Sequence, residues 1–428
     1  MFPSLSFSHL CALVAFALAG LTWAGGAPEQ SWEQSRKADE TCLVQVGVTS
    51  LGCDGARERK PSDFDKGTSR ATKLATYRLK KDIAVDPHPD ASGMSGACSE
   101  TDRAIAFKEL KAAESEVAAQ RLFLTELGTA TRPSEVLFTS RHKHSLRDQK
   151  LTEESGRWVP KFMRMFDWYQ LGEQQNLTHG NPKTVLCQAN KRDLDNLWEH
   201  VQTLPALEAG EKRLLAVGNS DSHLTKNAES IELFQSSGRF SRIIYEANDG
   251  RMPGVGTFPL GLSDIYVAMN GPQNVMKAVR EASLQKKDKH LLAAWGRVWK
   301  LLDTKLASRR LAQQFVHSSC FVNRTMVEPE DYWEVLSQHR FLMAPSGNGV
   351  QSPKVAEALL VLTIPIVNWT PAYADMVNDG WPMVVVKTWE EITPASLVRW
   401  HAELSPKLHA FRLRLTASRA FDELVHGP

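Results

Sequence analysis

Hydrophobic positions along the chain follow two kinds of pattern. Residues 100–127 place apolar side chains at helical spacing among Ala, Glu and Lys, which predicts an amphipathic helix. Beyond it, runs that are apolar throughout alternate with helical patterns, which predicts parallel strands covered on both faces. The predicted strands are KTVLCQAN, RLLAVGNSDSH, SRIIYEAND, GTFPLGL, HLLAAWG, HRFLMAP, TIPIVNW and PMVVVKTW. Helices are predicted at RDLDNLWEHVQTL and SRRLAQQF, with two more from PASLVRWHAEL to RAFDEL. The expected class is therefore α/β.

The beginning of the chain has a different character. Residues 10–24 form an uncharged apolar core followed by small residues, and the length fits a signal-peptide core and is short for a spanning helix. Because no Lys or Arg precedes this core, a cleaved signal and an uncleaved anchor over 1–27 both remain open, beside a segment without a targeting role. Residues 28–104 are polar and irregular, which predicts a stem. Two α/β units are then expected at 105–285 and 286–428.

The composition agrees with the secretory pathway, and the small net charge gives no reason to expect a polyanionic partner. The net charge of +2 gives no reason to expect nucleic acid or strong attraction to a membrane surface. Of the six cysteines, Cys11 lies in the targeting segment, and the rest are too sparse for a disulfide framework. Sequons at Asn176 and Asn323 agree with a glycoprotein of the secretory pathway.

The stretch FLMAPSGNGVQSPKVAEALLVLTIPIVNW, residues 341–369, predicts a strand, a loop, a helix and a second parallel strand. Gly347 and Gly349 would let backbone N–H groups approach a ligand. Ser352 is the predicted helix N-cap, and Pro353 takes the first helical position. Ligands bind at this edge of a parallel sheet, and loop amides with a helix N-terminus suit a phosphate.

Lys354 and Glu357 are three residues apart, so they share one face of the predicted helix near its start. Lys354 is placed to reach a phosphate, and Glu357 is placed to accept hydrogen bonds from ribose hydroxyls. A sugar nucleotide presents both groups. The alternative is that the two side chains only pair with each other on a solvated surface.

The C-terminal part of the chain resembles exostosin-type glycosyltransferases of family 47, in the branch related to ribitol xylosyltransferase. The resemblance covers roughly residues 210–395 and is clearest from YWEVLSQHRFLMAP to GWPMVVVKTWEEIT. The matching positions are Tyr332, Pro345, Gly347, Asn348, Gly349, Lys354, Glu357 to Leu359, Ile364 to Val367, and Trp389. The sequence departs from the pattern at Gln351, Lys354, Ala356 and Leu362, where the branch usually has Asp, Arg, Trp and Gly.

The resemblance implies a GT-B fold, in which two Rossmann-like domains face a cleft and the C-terminal domain binds the sugar nucleotide. It implies an inverting, metal-independent enzyme of the Golgi lumen or Golgi membrane, or a secreted one, that needs no cofactor beyond its donor substrate. Its partners would be a sugar nucleotide and a glycan acceptor. The implied donor-binding residues are Gly347, Asn348, Gly349, Ser352, Lys354, Glu357, Arg309 and Arg310.

The base that deprotonates the acceptor hydroxyl is expected on the N-terminal domain. Asp221 and His223 follow the predicted strand RLLAVGNSDSH, and the ends of such strands carry function in open sheets. The alternative role for Asp221 is to cap the following turn. The Asp-Leu-Asp sequence at 193–195 starts a helix, so we interpret it as capping sequence and not as a metal site.

Two further alternatives stay open. One is a catalytically degenerate protein of this fold that binds glycan or supports a partner enzyme; the other is a different phosphate-binding Rossmann protein. The helix predicted at 100–127 would either self-associate as part of a stem or pack on the first domain.

Overall fold

The computed structural model describes most of the chain from residue 100 onward. The described residues are 100–142, 159–178, 180–250, 252–295, 307–347 and 349–427. The predicted signal or anchor segment and nearly all of the predicted stem lie outside these ranges. Within them, none of the helices combines the length and the apolar character needed to cross a bilayer.

The described strands form three sheets. They are β1 (Thr139–Arg141), β2 (Trp168–Leu171), β3 (Gln174–Asn176), β4 (Thr184–Gln188), β5 (Leu214–Gly218), β6 (Arg242–Tyr245), β7 (Val255–Thr257), β8 (Leu262–Ser263), β9 (Lys289–Ala293), β10 (Val322–Arg324), β11 (His339–Met343), β12 (Ile364–Asn368) and β13 (Val384–Val386). The first sheet has the order β3-β2-β4-β5-β6-β7, the second has the order β10-β9-β11-β12-β13, and β1 pairs with β8 in a short third sheet.

Helices connect and cover these strands. They are α1 (Glu100–Leu127), α2 (Lys161–Arg164), α3 (Lys191–Val201), α4 (Ala228–Ser236), α5 (Asp264–Asn270), α6 (Pro272–Glu281), α7 (Ala307–Ser318), α8 (Tyr332–Ser337), α9 (Lys354–Leu360), α10 (Pro371–Asn378), α11 (Pro394–Leu404), α12 (Leu408–Leu413) and α13 (Ala417–His426). The α/β class predicted from the sequence is confirmed.

In the first sheet, β2, β4, β5, β6 and β7 are parallel and each strand lies beside the next one in the chain. Right-handed crossovers that always step in one direction put their helices on one face. Side chains of α3 and α4 cover that face, with Val185, Val217 and Tyr245 beneath them. The alternate residues, such as Leu186 and Ala216, point into the core that the two sheets share. This sheet is therefore not wound in both directions, as a Rossmann-like domain would be.

The second sheet is wound in both directions. The chain passes from β9 to β10 on one side and then to β11 on the other side, and all pairings are parallel. The order of strands therefore reverses between β9 and β11. In open α/β sheets, ligands bind outside the carboxyl ends of the strands at such a switch point. The loop that follows β11, which contains Gly347 and Gly349, begins there.

The helices near the two ends of the described chain cross between the halves. Helix α1 has the predicted bounds, and its buried Phe123 and Leu127 pack with α12. Nε2 of Gln120 in α1 also donates to Oγ of Ser283 at 2.9 Å, so the helix contacts both predicted units. Helix α13 packs on α2, and Nη1 of Arg242 in β6 donates to the carbonyl of Leu424 at 2.8 Å. The predicted boundary at 285/286 thus separates the two sheets but not the terminal helices.

Two predictions of local structure are wrong. The single strand predicted at GTFPLGL is two strands, β7 and β8, which belong to different sheets, because the chain turns at Pro259 between them. The C-terminal segment holds three helices where two were predicted, because short turns around 405–407 and at Thr416 interrupt the helical pattern.

Lys287 joins three segments at the end of the second sheet opposite the Gly347 loop. Its ammonium donates to the carbonyls of Ser337 and His339, at 2.8 and 3.1 Å, and to Oγ1 of Thr363 at 2.9 Å. Burial lowers the pKa of Lys287 from 10.5 to about 7, and the charge of Arg412 acts in the same direction.

This low pKa predicts a pH-dependent stability. Between about pH 7 and pH 10 the unfolded chain binds one more proton at Lys287 than the folded protein, so the free energy of unfolding should rise with pH across that window. Lys287→Met should lack this rise, whereas Lys286→Met, at an exposed neighbour, should keep it. Thermal unfolding of all three proteins at several pH values measures the difference. An equal slope in the wild type and Lys287→Met would show that the three oxygens keep the ammonium charged.

Candidate functional site

The loop after β11 lies against a guanidinium group. A Cβ built on Gly347 would lie 2.6 Å from Nη2 of Arg309, so the glycine gives the arginine room to lie directly on the loop backbone. The side chain of Arg309 is half-buried, and its Nε is buried without a hydrogen-bond partner. Arg309 forms no salt bridge with any described residue. Its charge is therefore free to meet an anion at the switch point.

The start of α7 is fixed by hydrogen bonds that position Arg309. The hydroxyl of Ser308 donates to Oδ1 of Asn368, at the end of β12. The buried indole of Trp389 donates from Nε1 to the carbonyl of Ser308 at 3.4 Å. Arg310, one residue further along the helix, is exposed. Of the two predicted arginines, only Arg309 contacts the glycine loop.

Lys354 and Glu357 lie at the start of α9 in a buried setting. The Nζ of Lys354 is 4.0 Å from the ring centroid of Tyr332, a cation–π contact. Glu357 is 3 % exposed, and the two side chains do not form a salt bridge with each other or with any other described residue. The alternative of a solvated surface ion pair is therefore wrong.

The electrostatics of this corner favour an incoming anion. Burial lowers the pKa of Lys354, and the charge of Arg309 lowers it further, against the effect of Glu357. Burial also lowers the pKa of Arg309 and raises the pKa of Glu357. Both cations are short of negative charge, and a phosphate placed between them would stabilise both charged forms.

The start of α9 differs from the prediction. The helix begins at Lys354 with Pro353 as N-cap, and no side chain caps it. The predicted N-cap, Ser352, is buried, and its backbone N–H donates to the hydroxyl of Tyr373 at 2.8 Å. The helix has only seven residues. The predicted helix-end phosphate site is thus weaker than expected, and the two cations are the main anion-binding groups.

Gln351 connects the glycine loop to the first sheet. Its buried Oε1 accepts from the backbone N–H of Leu260 at 2.8 Å, and its Nε2 donates to the carbonyls of Glu246 and Phe258. An aspartate, which the resemblance would lead one to expect here, could not donate to these carbonyls. A glutamine at this position therefore has a structural reason.

Asp221 reaches the same loop from the first sheet. A Cβ built on Gly349 would lie 2.8 Å from Oδ1 of Asp221. That oxygen accepts from Nη1 of Arg141 at 2.7 Å, and Nε of Arg141 donates to Oε1 of Glu246 at 2.7 Å. Burial would lower the pKa of Arg141, but the two carboxylates raise it above its ordinary value. The carboxyl edges of the two sheets thus face each other across Gly349.

His223 lies further along the loop that follows β5. Its Nδ1 is 2.8 Å from Oδ2 of Asp249, and the backbone N–H of Thr225 donates to Oδ1 of the same carboxylate at 3.0 Å. The imidazole is 26 % exposed. These contacts hold the loop together, and none of them reaches the glycine loop.

The structure therefore brings together six of the predicted site residues and separates others. The residues that meet are Asp221, Arg309, Gly347, Gly349, Lys354 and Glu357. Asn348 lies outside the described residues. Asp193, of the Asp-Leu-Asp sequence, accepts from Asn190, Gln170 and Gly172 at 2.6 to 3.2 Å, so its carboxylate serves the local fold.

Sequence reasoning missed Arg141 and Glu246, which orient Asp221. Glu246 is 1 % exposed, and its Oε2 also accepts from the backbone N–H of Asn219 at 2.9 Å. The signal in the sequence was a glutamate directly after the apolar run RIIY, because a carboxylate at the end of a buried strand needs a partner. Arg141 had no comparable signal.

Comparisons with known proteins do not show a family for this chain. No protein-family model matches it, and neither does any curated protein. Among solved structures, the crystal structure of the GtfA/B complex is similar over 56 % of this chain and 57 % of that chain, with a TM-score of 0.30 and 9 % sequence identity. The match spans little more than half of that chain's length. Because a TM-score of this size does not define a common fold, the proposals below rest on the residues of this chain.

The Gln351 bridge predicts a large effect from an isosteric change. Gln351→Glu puts a carboxylate against two carbonyl oxygens and removes both N–H donors, so it should lower the free energy of unfolding by about 2–5 kcal/mol. Gln338→Glu is the matched control, because Oε1 of Gln338 accepts from Lys289 at 2.6 Å and a carboxylate there would be paired. Chemical denaturation compares the two. Equal stability of both variants would mean that the carboxamide does not join the halves.

Proposed function

We propose that the protein is a glycosyltransferase that moves a sugar from a nucleoside-diphosphate sugar to a hydroxyl of a glycan or glycoprotein. One observation carries the proposal: two cations that form no salt bridge with any described residue, Arg309 and Lys354, lie beside the glycine loop at the switch point of the second sheet, opposite Asp221 of the first sheet. The family resemblance of this region supports the same function. A GT-B arrangement of the two sheets is part of the proposal.

In this proposal the second sheet holds the donor. Arg309 and Lys354 bind the diphosphate, and their charges stabilise the negative charge that grows on it as the bond to the sugar breaks. Glu357 accepts hydrogen bonds from the ribose hydroxyls, and Gly347 lets Arg309 lie on the loop backbone, beside the diphosphate. The reaction inverts the anomeric centre, because the acceptor hydroxyl attacks from the side of the first sheet, opposite the diphosphate.

The first sheet supplies the acceptor side. Asp221 and His223 stay predictions for the base that takes the hydroxyl proton, and Asp221 is the nearer of the two to the glycine loop. Location in the secretory pathway, membrane anchoring and oligomerisation through α1 also belong to the proposal. The departure from the family pattern at Gln351 does not count against activity, since this side chain serves the fold.

The adjacent arginines give a matched test of the diphosphate site. Arg309→Ala removes a charge-assisted contact of about 1.5–3 kcal/mol, so the affinity for UDP or GDP should fall roughly 10–150-fold. Arg310→Ala removes the same charge from the exposed neighbour and should change affinity less than about threefold. Isothermal titration calorimetry with UDP and GDP measures both. Equal losses would point to a general charge effect and against a site at Arg309.

Lys354 and Glu357 should separate the diphosphate from the nucleoside. Lys354→Met should lower the affinity for the nucleoside diphosphate roughly 10–150-fold, because the partner of Lys354 is a phosphate. The affinity for the free nucleoside should fall much less. Glu357→Gln should lower the affinity for both ligands, because the partner of Glu357 is the ribose that both contain. Calorimetry with uridine, guanosine and their diphosphates distinguishes the patterns. If both variants stay folded and bind both ligands as the wild type does, the donor site is not at this helix.

The function itself is tested by turnover. The protein as secreted from a eukaryotic cell is incubated with a panel of UDP- and GDP-sugars and a mixture of glycan acceptors, and release of nucleoside diphosphate is followed. We expect one of the donors to give release of nucleoside diphosphate. This release should require the acceptor and should be lost in Arg309→Ala. Binding of nucleoside diphosphate without release from any donor would favour the degenerate, glycan-binding alternative.

A further inference from the structure

A histidine and an aspartate of the third sheet have no part in the function proposed so far. His142 follows β1 and Asp264 follows β8, at the carboxyl end of the same parallel pair. Nδ1 of His142 contacts Oδ2 of Asp264 in a short hydrogen bond. The backbone N–H of His142 donates to Oδ1 of Asn219 at 2.7 Å. The imidazole is therefore held both by its ring and by its main chain.

The other ring nitrogen has no such contact. Nε2 of His142 is buried and has no hydrogen-bond partner among the described residues, and the side chain is only 2 % exposed. A carboxylate on Nδ1 favours the tautomer with its proton there, which leaves the lone pair of Nε2 as an acceptor. A buried acceptor without a donor is unfavourable, because its hydrogen bond to water is lost and not replaced. The arrangement is explained if a hydroxyl donates to Nε2 during function.

The pair lies beside the proposed donor site. Arg141, adjacent to His142, donates to Asp221, and its Nη2 would lie 3.6 Å from a Cβ built on Gly349. Helix α5, which begins at Asp264, carries Tyr266, which lies close enough to Arg309 to affect the pKa of that guanidinium. His142 and Asp264 are thus connected to both ends of the glycine loop.

We infer that Nε2 of His142 is the general base of the transfer and that Asp264 is its positioning residue. The acceptor O–H bond breaks and its proton passes to Nε2, while the oxygen forms a bond to the anomeric carbon. The bond from that carbon to the diphosphate breaks, and its electron pair leaves on the phosphate oxygen. Nothing is oxidised or reduced. The inference rests on the proposed function.

The other two candidates are less suited to this role. The Oδ1 of Asp221 that faces Gly349 already accepts from Arg141. His223 is more exposed and pairs with Asp249 on the loop after β5. Only His142 combines an orienting carboxylate with a second nitrogen that is buried and unpartnered in the described structure.

The test uses the full chain with the sugar nucleotide that wild type turns over. His142→Gln should lower kcat about 10²–10⁴-fold and leave the affinity for the nucleoside diphosphate within about threefold. Asp264→Asn should lower kcat less, again with unchanged affinity. His200→Gln is the control and should behave as the wild type. His200 lies on α3, and its Nδ1 contacts the carbonyl of Asn196 in the same helix. Thermal unfolding confirms that each variant is folded.

Chemical rescue separates a base from a structural residue. His142→Ala leaves a space of the size of the ring, so added imidazole should restore part of the lost turnover in this variant and none in Arg309→Ala. Full activity of His142→Gln, loss only in His223→Gln, or absence of rescue in folded His142→Ala would overturn the inference and leave the proposed function standing. Absence of turnover in the wild type with every donor would instead overturn the proposed function, and the base with it.

Discussion

The carboxamide of Gln351 is the contact on which the geometry of the cleft depends. It belongs to the glycine loop of the second sheet, yet all three of its hydrogen bonds go to backbone groups of the first half, around β6 and β7. A primary amide can donate twice and accept in one plane, and here it does both. Because the site is buried, each of these groups would be costly to leave unpaired. The two carboxyl edges are therefore held at a fixed separation, and Asp221 stays against Gly349.

The charges on the two sides of the cleft are arranged in opposite ways. Arg141 donates to Glu246 and Asp221, so its side chain connects the ends of strands in the first half. Arg309 and Lys354 form no salt bridge with any described residue; Arg309 lies against Gly347, and Lys354 lies on the ring of Tyr332. A buried cation without an anion is unfavourable. Leaving two of them together makes sense if a ligand brings the missing negative charge.

The sequence predicted the elements of this site better than their connections. Strand β11, the glycine loop and the lysine and glutamate of α9 follow from local pattern, because apolar runs and glycines report on their own neighbourhood. The pairing of Asp221 with Arg141 joins residues 80 positions apart, and no periodicity encodes such a contact. The one-directional order of the first sheet is equally non-local, since every apolar strand looks alike in sequence. The Ser352 prediction failed because the helix begins one residue later than expected, with Pro353 as N-cap, and the backbone N–H of Ser352 is bonded instead to Tyr373 of α10.

Leu362 shows how the fold tolerates an unfavourable backbone conformation. Leu362 has φ +59°, the left-handed conformation that glycine takes without strain, and it ends the connection from α9 to β12. Its side chain is buried, so packing offsets the backbone strain. Arg412, fully buried, donates to the carbonyl of Leu360 at the same end of the helix, and its guanidinium lies 4.0 Å from the ring centroid of Phe123 in α1. The far end of α9 is thereby tied to a helix at the start of the described chain. Helix α1 consequently helps to fix the position of α9, which carries Lys354 and Glu357.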